Sequence, residues 1–455
     1  MFAKINFHDE FYQKLKLLVL PITMQQFMLA LVSATDAIML GAVSQTSLSA
    51  VSLAGQIQFV LNLFISGISA GSGIMAAQYW GKKDAASIEE VMPIALRTNL
   101  IFSGAFTVFA AVAPEVLMRI FTSDPALIES GAVYLRAVSL SYLLCGISQI
   151  YLILLKNTGY ATVSSRISCT AVVVNIICNA ILIYGLLGLP ALGIQGAAYA
   201  TVAARLVELI WSYLETKQSG RVQIIWKKMF RAADAVLTKD FWRYTTPVLG
   251  AALVWGIAYV SYSVIMGHMG SDAVAANSIT TIAKNMLSCL IRGVSGGAGV
   301  LIGNLLGAGE LDKAKVYGGR LTRMAIVVGM TTGSLLMLIS PLIVRFAPLS
   351  ETAAEYLQYM LIFCGCNIMA QSVNTTVLDG IFCAGGDSKF DMKGNLGAMW
   401  CFSVPFGFFA AFVLKWPVMV VYCIVNLDEI VKIPAVYLHY KKYIWVRNIT
   451  VQEEA

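Results

Sequence analysis

The sequence predicts an all-α polytopic membrane protein: twelve transmembrane helices in two six-helix, pseudo-symmetric lobes, a parallel repeat whose axis runs along the membrane normal. Three observations carry that expectation. Of 455 residues, 58% are hydrophobic and only 13% charged, with a mean hydropathy of +0.74. Soluble domains run near about 25% charged, so this much apolar surface cannot be hidden from water by folding on itself. Apolar stretches long enough to cross about 30 Å of hydrocarbon recur twelve times, and the second half of the chain repeats the first at a shift of 226 residues.

The spans fall near 17–40, 48–80, 93–113, 132–154, 164–186 and 192–214, then 243–266, 274–306, 324–344, 353–378, 394–414 and 416–438. Helix 1 lacks the short apolar core and small-residue cleavage site of a removable leader and is expected to be retained. Basic residues lie on alternate sides. Of 32 Lys and Arg, 24 sit in, or within four residues of, the N-terminus, the loops after even-numbered spans and the C-tail, whereas the other loops hold only Arg119, Arg345 and Lys415. The positive-inside rule then puts both termini in the cytoplasm of a multi-pass plasma (inner) membrane protein. The net charge of +7 follows from this bias and implies no nucleic-acid partner. The longest basic stretch, Lys217 to Arg243, divides the chain into an N-lobe (1–216), a cytoplasmic linker (217–242) and a C-lobe with its tail (243–455).

The repeat is carried by residues with backbone consequences. The shift aligns Pro21 with Pro247 and Gly41 with Gly267, then lays Gly67, Ser69, Gly71, Gly73 and Gly81 on Gly293, Ser295, Gly297, Gly299 and Gly307, with eleven identities in 61 positions. Six crossings per repeat return the chain to its starting side, so the halves run in the same direction. Gly73, Ala77 and Gly81, like Gly299, Gly303 and Gly307, form small-residue ridges that let helix backbones approach closely in lipid. No Lys-Ser/Thr follows these glycines, which argues against a phosphate loop.

Enzyme chemistry has no visible footing. His8, His268 and His439 are far apart, no HExxH, Walker or GxSxG pattern occurs, and the nine cysteines lie scattered, nearly all in apolar segments. Cys364 and Cys366 are expected on different helix faces. One acid stands out: Asp36, in "LVSATDAIMLG", lies inside span 1 with no basic residue in that span to neutralise it. An ionisable group there costs a few kcal/mol and is kept mainly where it meets a partner or a wet cavity.

Together, "TDAIMLG" in span 1, "AAQYWGKKD" ending span 2, "VVVNIICNAILIYG" in span 5, "GIQGAAYAT" opening span 6, "GNLLGAGELDKA" ending span 8 and "GIFCAGGDS" after span 10 make nearly the whole chain resemble the MATE (multidrug and toxic compound extrusion) transporters of the bacterial NorM/DinF-like type. The resemblance implies two lobes enclosing a central cavity that opens alternately inward and outward. It also implies export of amphipathic, often cationic organic compounds driven by inward movement of Na⁺ or H⁺, with no cofactor, and a monomer in membrane lipid is the expected assembly. In that family the helix-1 acid works with oxygens that here correspond to Asn175, Asn179 and Thr201.

Sequence geometry checks that set. Asn175 and Asn179, four apart, share a helix face. Counted at about 1.5 Å per residue from the outer ends, Asp36 lies roughly 6 Å deep, Asn179 roughly 10, Thr201 roughly 14 and Asn175 roughly 16. One carboxylate with amide and hydroxyl oxygens suits Na⁺ or a shared proton, the alternative being a structural polar cluster. The sequence departs from some relatives in lacking a second acid at Asn179, which leaves one formal charge and the choice of ion open, and in lacking any acid in span 7, which makes a C-lobe site of that type unexpected. Span 7 instead offers Trp255, Tyr259 and Tyr262, either cavity aromatics for flat cations or packing residues. The C-lobe holds a second ionic set, Lys284, Asp428, Glu429 and Lys432, read either as a structural network or as a proton-sensitive site; counted depths allow Lys284 and Asp428 to meet. Arg205 and Glu208 are expected to pair locally, and Asp379 to be wet. The rival functions are a lipid-linked precursor flippase, for which extra spans or a strongly basic cavity would be expected, and a channel or receptor with no transport cycle.

Overall fold

The computed structural model of the protein describes residues 9–231, 234–347 and 349–451, which leaves His8 outside the described residues. Those residues form helices and connecting turns without strands. The first repeat comprises α1 (Glu10–Val43), α2 (Gln45–Gly81), α3 (Ala85–Val112), the short α4 (Pro114–Arg119), α5 (Pro125–Asn157), α6 (Ala161–Tyr184) and α7 (Ile194–Thr216), followed by a single turn, α8 (Trp226–Met229). The second comprises α9 (Ala235–Gly267), α10 (Ser271–Gly307), α11 (Leu311–Phe346), α12 (Glu351–Thr375), α13 (Ser388–Asn395), α14 (Val404–Phe408), α15 (Val418–Val425) and α16 (Asp428–Tyr440). α12 runs on through a π-helical turn, Thr376–Phe382, and α13 through another, Leu396–Ser403.

Each of the twelve expected spans has its helix. Ten helices among the described residues are long and apolar enough to cross a membrane. The other two crossings are α7, which carries Arg205 and Glu208 along its length, and the last, which is broken between α15 and α16 at Asn426 and Leu427. A break at membrane depth frees backbone groups that lipid cannot satisfy. Here α12 caps the freed end of α15, the Asn367 amide donating to the Asn426 carbonyl, and holds the first turn of α16, the Asn374 amide donating to the Glu429 carbonyl at 2.6 Å.

The shift of 226 residues is reproduced in three dimensions. α2 and α10 begin and end at shifted positions, and the helices after the outer loops are capped at equivalent residues, Asp124 accepting from the Ala126 N–H and Ser350 from the Ala353 N–H. By contact the chain forms two compact units, Met24–Leu249 and Met1–Thr23 with Gly250–Ala455. These boundaries also differ by 226. The division expected at 216/217 and 242/243 follows charge along the sequence; contact instead cuts through α1 and α9, each two residues after its proline, and leaves 217–234 in the same unit as α2–α7.

The reason is visible at the aligned glycines. A Cβ on Gly67 would lie 2.8 Å from Leu249 Cα, and one on Gly71 2.7 Å from Thr245 Cα, so the first part of α9 packs backbone to backbone on α2. At the equivalent positions a Cβ on Gly293 would lie 3.1 Å from Thr23 Cα, and one on Gly297 2.9 Å from Val19, so α1 begins on α10. The core of that unit gathers Phe11, Leu15 and Val19 with Val294, Leu306 and Phe382. The core of the other gathers Leu40, Leu61, Tyr142 and Ala198. All nine cysteines are free, with Cys364 buried and Cys366 exposed.

Candidate functional site

Asp36 sits two turns before the end of α1, and the structure brings it against the residues expected to accompany it. Asn179 Nδ2 donates to Asp36 Oδ1 at 2.5 Å and to Asn175 Oδ1 at 3.1 Å, and Asn175 Nδ2 donates to Thr201 Oγ1 at 3.4 Å. Thr201 in turn donates to the Ala197 carbonyl at 3.0 Å. Four side chains from α1, α6 and α7 thus form one polar line inside a single unit. Its order follows from helix geometry: the two asparagines stack one turn apart on α6, while Asp36 lies at one end and Thr201 at the other.

The middle of the line is dry, while its two ends, Asp36 and Thr201, are half-buried. Asn175 and Asn179 are 5% and 1% exposed, and among the described residues no Lys, Arg or His lies within 4.0 Å of Asp36. A lone carboxylate in such surroundings is costly unless something cancels its charge. Asn179 Oδ1 is buried with no donor, so the site holds a carboxylate and spare oxygen lone pairs, but no cation of its own. That donor set suits a hard monovalent cation or a proton. Tyr184, absent from the sequence reading, fixes the neighbouring turn by donating to the Met39 carbonyl at 3.1 Å.

The second ionic set is brought together in part. Lys432 Nζ lies 3.0 Å from Glu429 Oε1 and 3.6 Å from Asp428 Oδ2. Lys284 joins neither: among the described residues it has no ion-pair partner, and the meeting that depth allowed does not occur. Sequence reasoning missed Asn374, Asn395 and Asp391, which complete the cluster, because 388–393 reads as a basic loop. Its signal was the i,i+4 pair Asp391 and Asn395, now linked at 3.1 Å on α13. The three aromatics part company. Trp255 and Tyr259 stack at 5.5 Å, while Tyr262 packs beside the buried Ile265, Ala410 and Val421. Arg205 and Glu208 pair locally at 2.7 Å, and Asp379 is exposed.

Comparison with known proteins agrees with this architecture. The family model described as MatE matches twice, at residues 21–181 and 247–409, once in each repeat. An uncharacterized transporter, YisQ, of Bacillus subtilis is 22% identical over 91% of this chain and 90% of its own length. A probable multidrug resistance protein, NorM, of Bacillus cereus is 24% identical over 89% and 90%. Among solved structures, a MOP superfamily transporter from Pyrococcus furiosus superposes with a TM-score of 0.86 at 18% identity, covering 95% of both chains. A MATE structure in the bent conformation gives 0.85 at 17% identity, covering 96% of both. With most of both repeats matched by one family model, the chain belongs to the MATE family of multidrug efflux transporters.

Proposed function

We propose that the protein is a cation-coupled antiporter that exports amphipathic, cationic organic compounds by alternating access of two lobes around a central cavity. Asp36 is its coupling acid, with Asn175, Asn179 and Thr201 as its oxygen partners. The observation that carries this reading is a carboxylate with no Lys, Arg or His within 4.0 Å among the described residues, held at 2.5 Å by an asparagine that is itself buried. Binding of H⁺ or Na⁺ cancels that charge. The neutral site no longer needs its present hydrogen bonds, so the helices around it repack and substrate affinity falls. A cation bound in the same low-dielectric surroundings also repels a cationic substrate.

In this reading both termini are cytoplasmic, the protein is a monomer in the plasma membrane, and the coupling ion is a substrate rather than a resident metal. The deciding measurement is efflux of a fluorescent cation from proteoliposomes under separately imposed Na⁺ and H⁺ gradients. Wild type responds to one of them and Asp36→Asn to neither. Full gradient-driven efflux by Asp36→Asn would remove Asp36 from the mechanism.

A further inference from the structure

α3 starts beside Lys82 and Lys83 and ends roughly 40 Å away, at Val112, where the chain breaks at Ala113 and turns into α4. Three residue pairs at four-residue spacing give this short helix and its cap three faces. Pro114 and Met118 are buried, and Met118 packs so closely on Gly131 of α5 that a Cβ there would have no room. Val116 and Ile120 are exposed and continue an exposed apolar row, Val108 and Val112, from the end of α3. Glu115 and Arg119 make up the third face.

That third face borders a cavity of about 670 Å³ between α4 and the first turns of α5, with Pro125, Ile128 and Ala132 as its apolar wall. Four charged side chains line it: Glu115, Arg119, Glu129 and Arg136. One pair is closed, Arg136 Nη2 donating to Glu115 Oε1 at 3.0 Å. Among the described residues neither Arg119 nor Glu129 has an opposite charge within 4.0 Å. The cavity thus offers one uncommitted guanidinium and one uncommitted carboxylate, the complement of a ligand that carries a phosphate and an ammonium. A guanidinium fork suits phosphate oxygens, and a carboxylate accepts hydrogen bonds from a primary ammonium. No aromatic side chain lines the cavity, so it lacks the cage that favours a quaternary ammonium.

The apolar row identifies the source of such a zwitterion. A soluble ligand has no use for Val112, Val116 and Ile120, whereas the acyl chains of a phospholipid would lie along them while its headgroup enters the cavity. The second repeat supplies a built-in comparison. It keeps Arg345 and Glu355 at the positions shifted by 226 from Arg119 and Glu129, but Pro341 and Ile362 replace Glu115 and Arg136, and α11 runs unbroken to Phe346.

We propose that the cavity between α4 and α5 binds a phospholipid of the ethanolamine type, with its phosphate on Arg119, its primary ammonium on Glu129 and its acyl chains along Val112, Val116 and Ile120. The assignment does not depend on which ion drives transport. The test is native mass spectrometry of the purified full chain with phospholipids of identical acyl chains and ethanolamine, choline or glycerol headgroups. The ethanolamine lipid should be retained most. Arg119→Gln and Glu129→Gln should each lower its retention about two- to fivefold, while Arg119→Lys keeps most of it. Ile120→Ser should lower it as well, and Arg345→Gln and Glu355→Gln should leave it unchanged. All these side chains are exposed, and an unaltered elution profile of each variant checks that the fold survives. Equal retention of the three headgroups, or undiminished retention in the Arg119→Gln/Glu129→Gln double variant, would overturn the proposal. So would displacement of the lipid by free phosphoethanolamine at the lipid's own concentration, which would assign the cavity to a soluble zwitterion.

Discussion

Gly67 and Gly55 lie three turns apart in the interior of α2, and replacing each with alanine should move stability in opposite directions. Alanine relieves the backbone freedom of glycine in a helix, a gain of about 0.5–1 kcal/mol at either position. At Gly55 a new Cβ meets nothing within 4 Å, so the gain stands alone. At Gly67 the Cβ would lie 2.8 Å from Leu249 Cα and 2.9 Å from Leu249 Cδ1. The leucine side chain can turn away, but the α9 backbone can yield only by separating the helices, and overpacking of this kind costs about 1–3 kcal/mol. The two variants should therefore differ by about 1–3 kcal/mol, with Gly55→Ala above wild type and Gly67→Ala below it when the larger cost applies. The readout is thermal loss of the monodisperse peak in detergent, where such a difference is worth several °C, on the order of 2–4 °C per kcal/mol. Gly293→Ala, meeting Thr23 Cα at 3.1 Å, should follow Gly67→Ala. Equal shifts for Gly55→Ala and Gly67→Ala would refute the claim that α9 rests directly on α2.

Other expectations follow from single contacts. Glu208 is 2% exposed and accepts from Arg205 at 2.7 Å and from Ser148 and Gln149 at 3.2 Å; Glu208→Leu should cost about 3–5 kcal/mol by stranding a charged Arg205, and Arg205→Met/Glu208→Leu should recover most of it in the same melt. Asp84 caps α3, accepting from the Ser87 N–H at 3.0 Å and its hydroxyl at 2.8 Å. Partial burial pushes its carboxyl up, but these bonds and nearby Lys82 outweigh it and hold the group below its ordinary value. Its contribution is therefore full above that ordinary value and fades as pH falls through the lower folded one. Asp84→Ala should cost about 1 kcal/mol at neutral pH, with the gap to wild type narrowing in acid melts below about pH 4. A gap unchanged in acid would mean the carboxylate is not what caps the helix.

The repeat was the most legible part of the chain, because it is written in residues whose backbone consequences are local. Gly67 aligned with Gly293 in sequence, and in the structure both glycines receive a crossing helix at equivalent residues, Leu249 and Thr23. Asp36 was legible as the one acid in an apolar run, and Asn175 and Asn179 as a pair on one face, since depth and periodicity can both be counted. Pairing between helices was less legible. Lys284 and Asp428 have similar counted depths and still do not meet, because depth says nothing about how each helix is rotated about its own axis. Asp391 stayed hidden for a different reason. Its neighbours Lys389 and Lys393 lower the local hydropathy to that of a loop, although the segment is already the first turns of a crossing helix. The break at Asn426 was likewise invisible, since its stabilising contacts come from Asn367 and Asn374, more than fifty residues earlier.

The two unit boundaries, at 23/24 and 249/250, impose an order on synthesis. A ribosome that has finished residue 216 has made seven helices of the first repeat, yet the surface of α2 around Gly67 and Gly71 stays uncovered until the start of α9 emerges. The earliest segment waits longer: Phe11, Leu15 and Val19 belong to a core that also takes in α10, α11, the end of α12, Val436 and Trp445, the last of them more than 400 residues away. Cutting the gene between the repeats would therefore not yield two self-sufficient halves. Each fragment would carry one helix start that belongs to the other, and co-expression should rescue what either fragment alone cannot assemble.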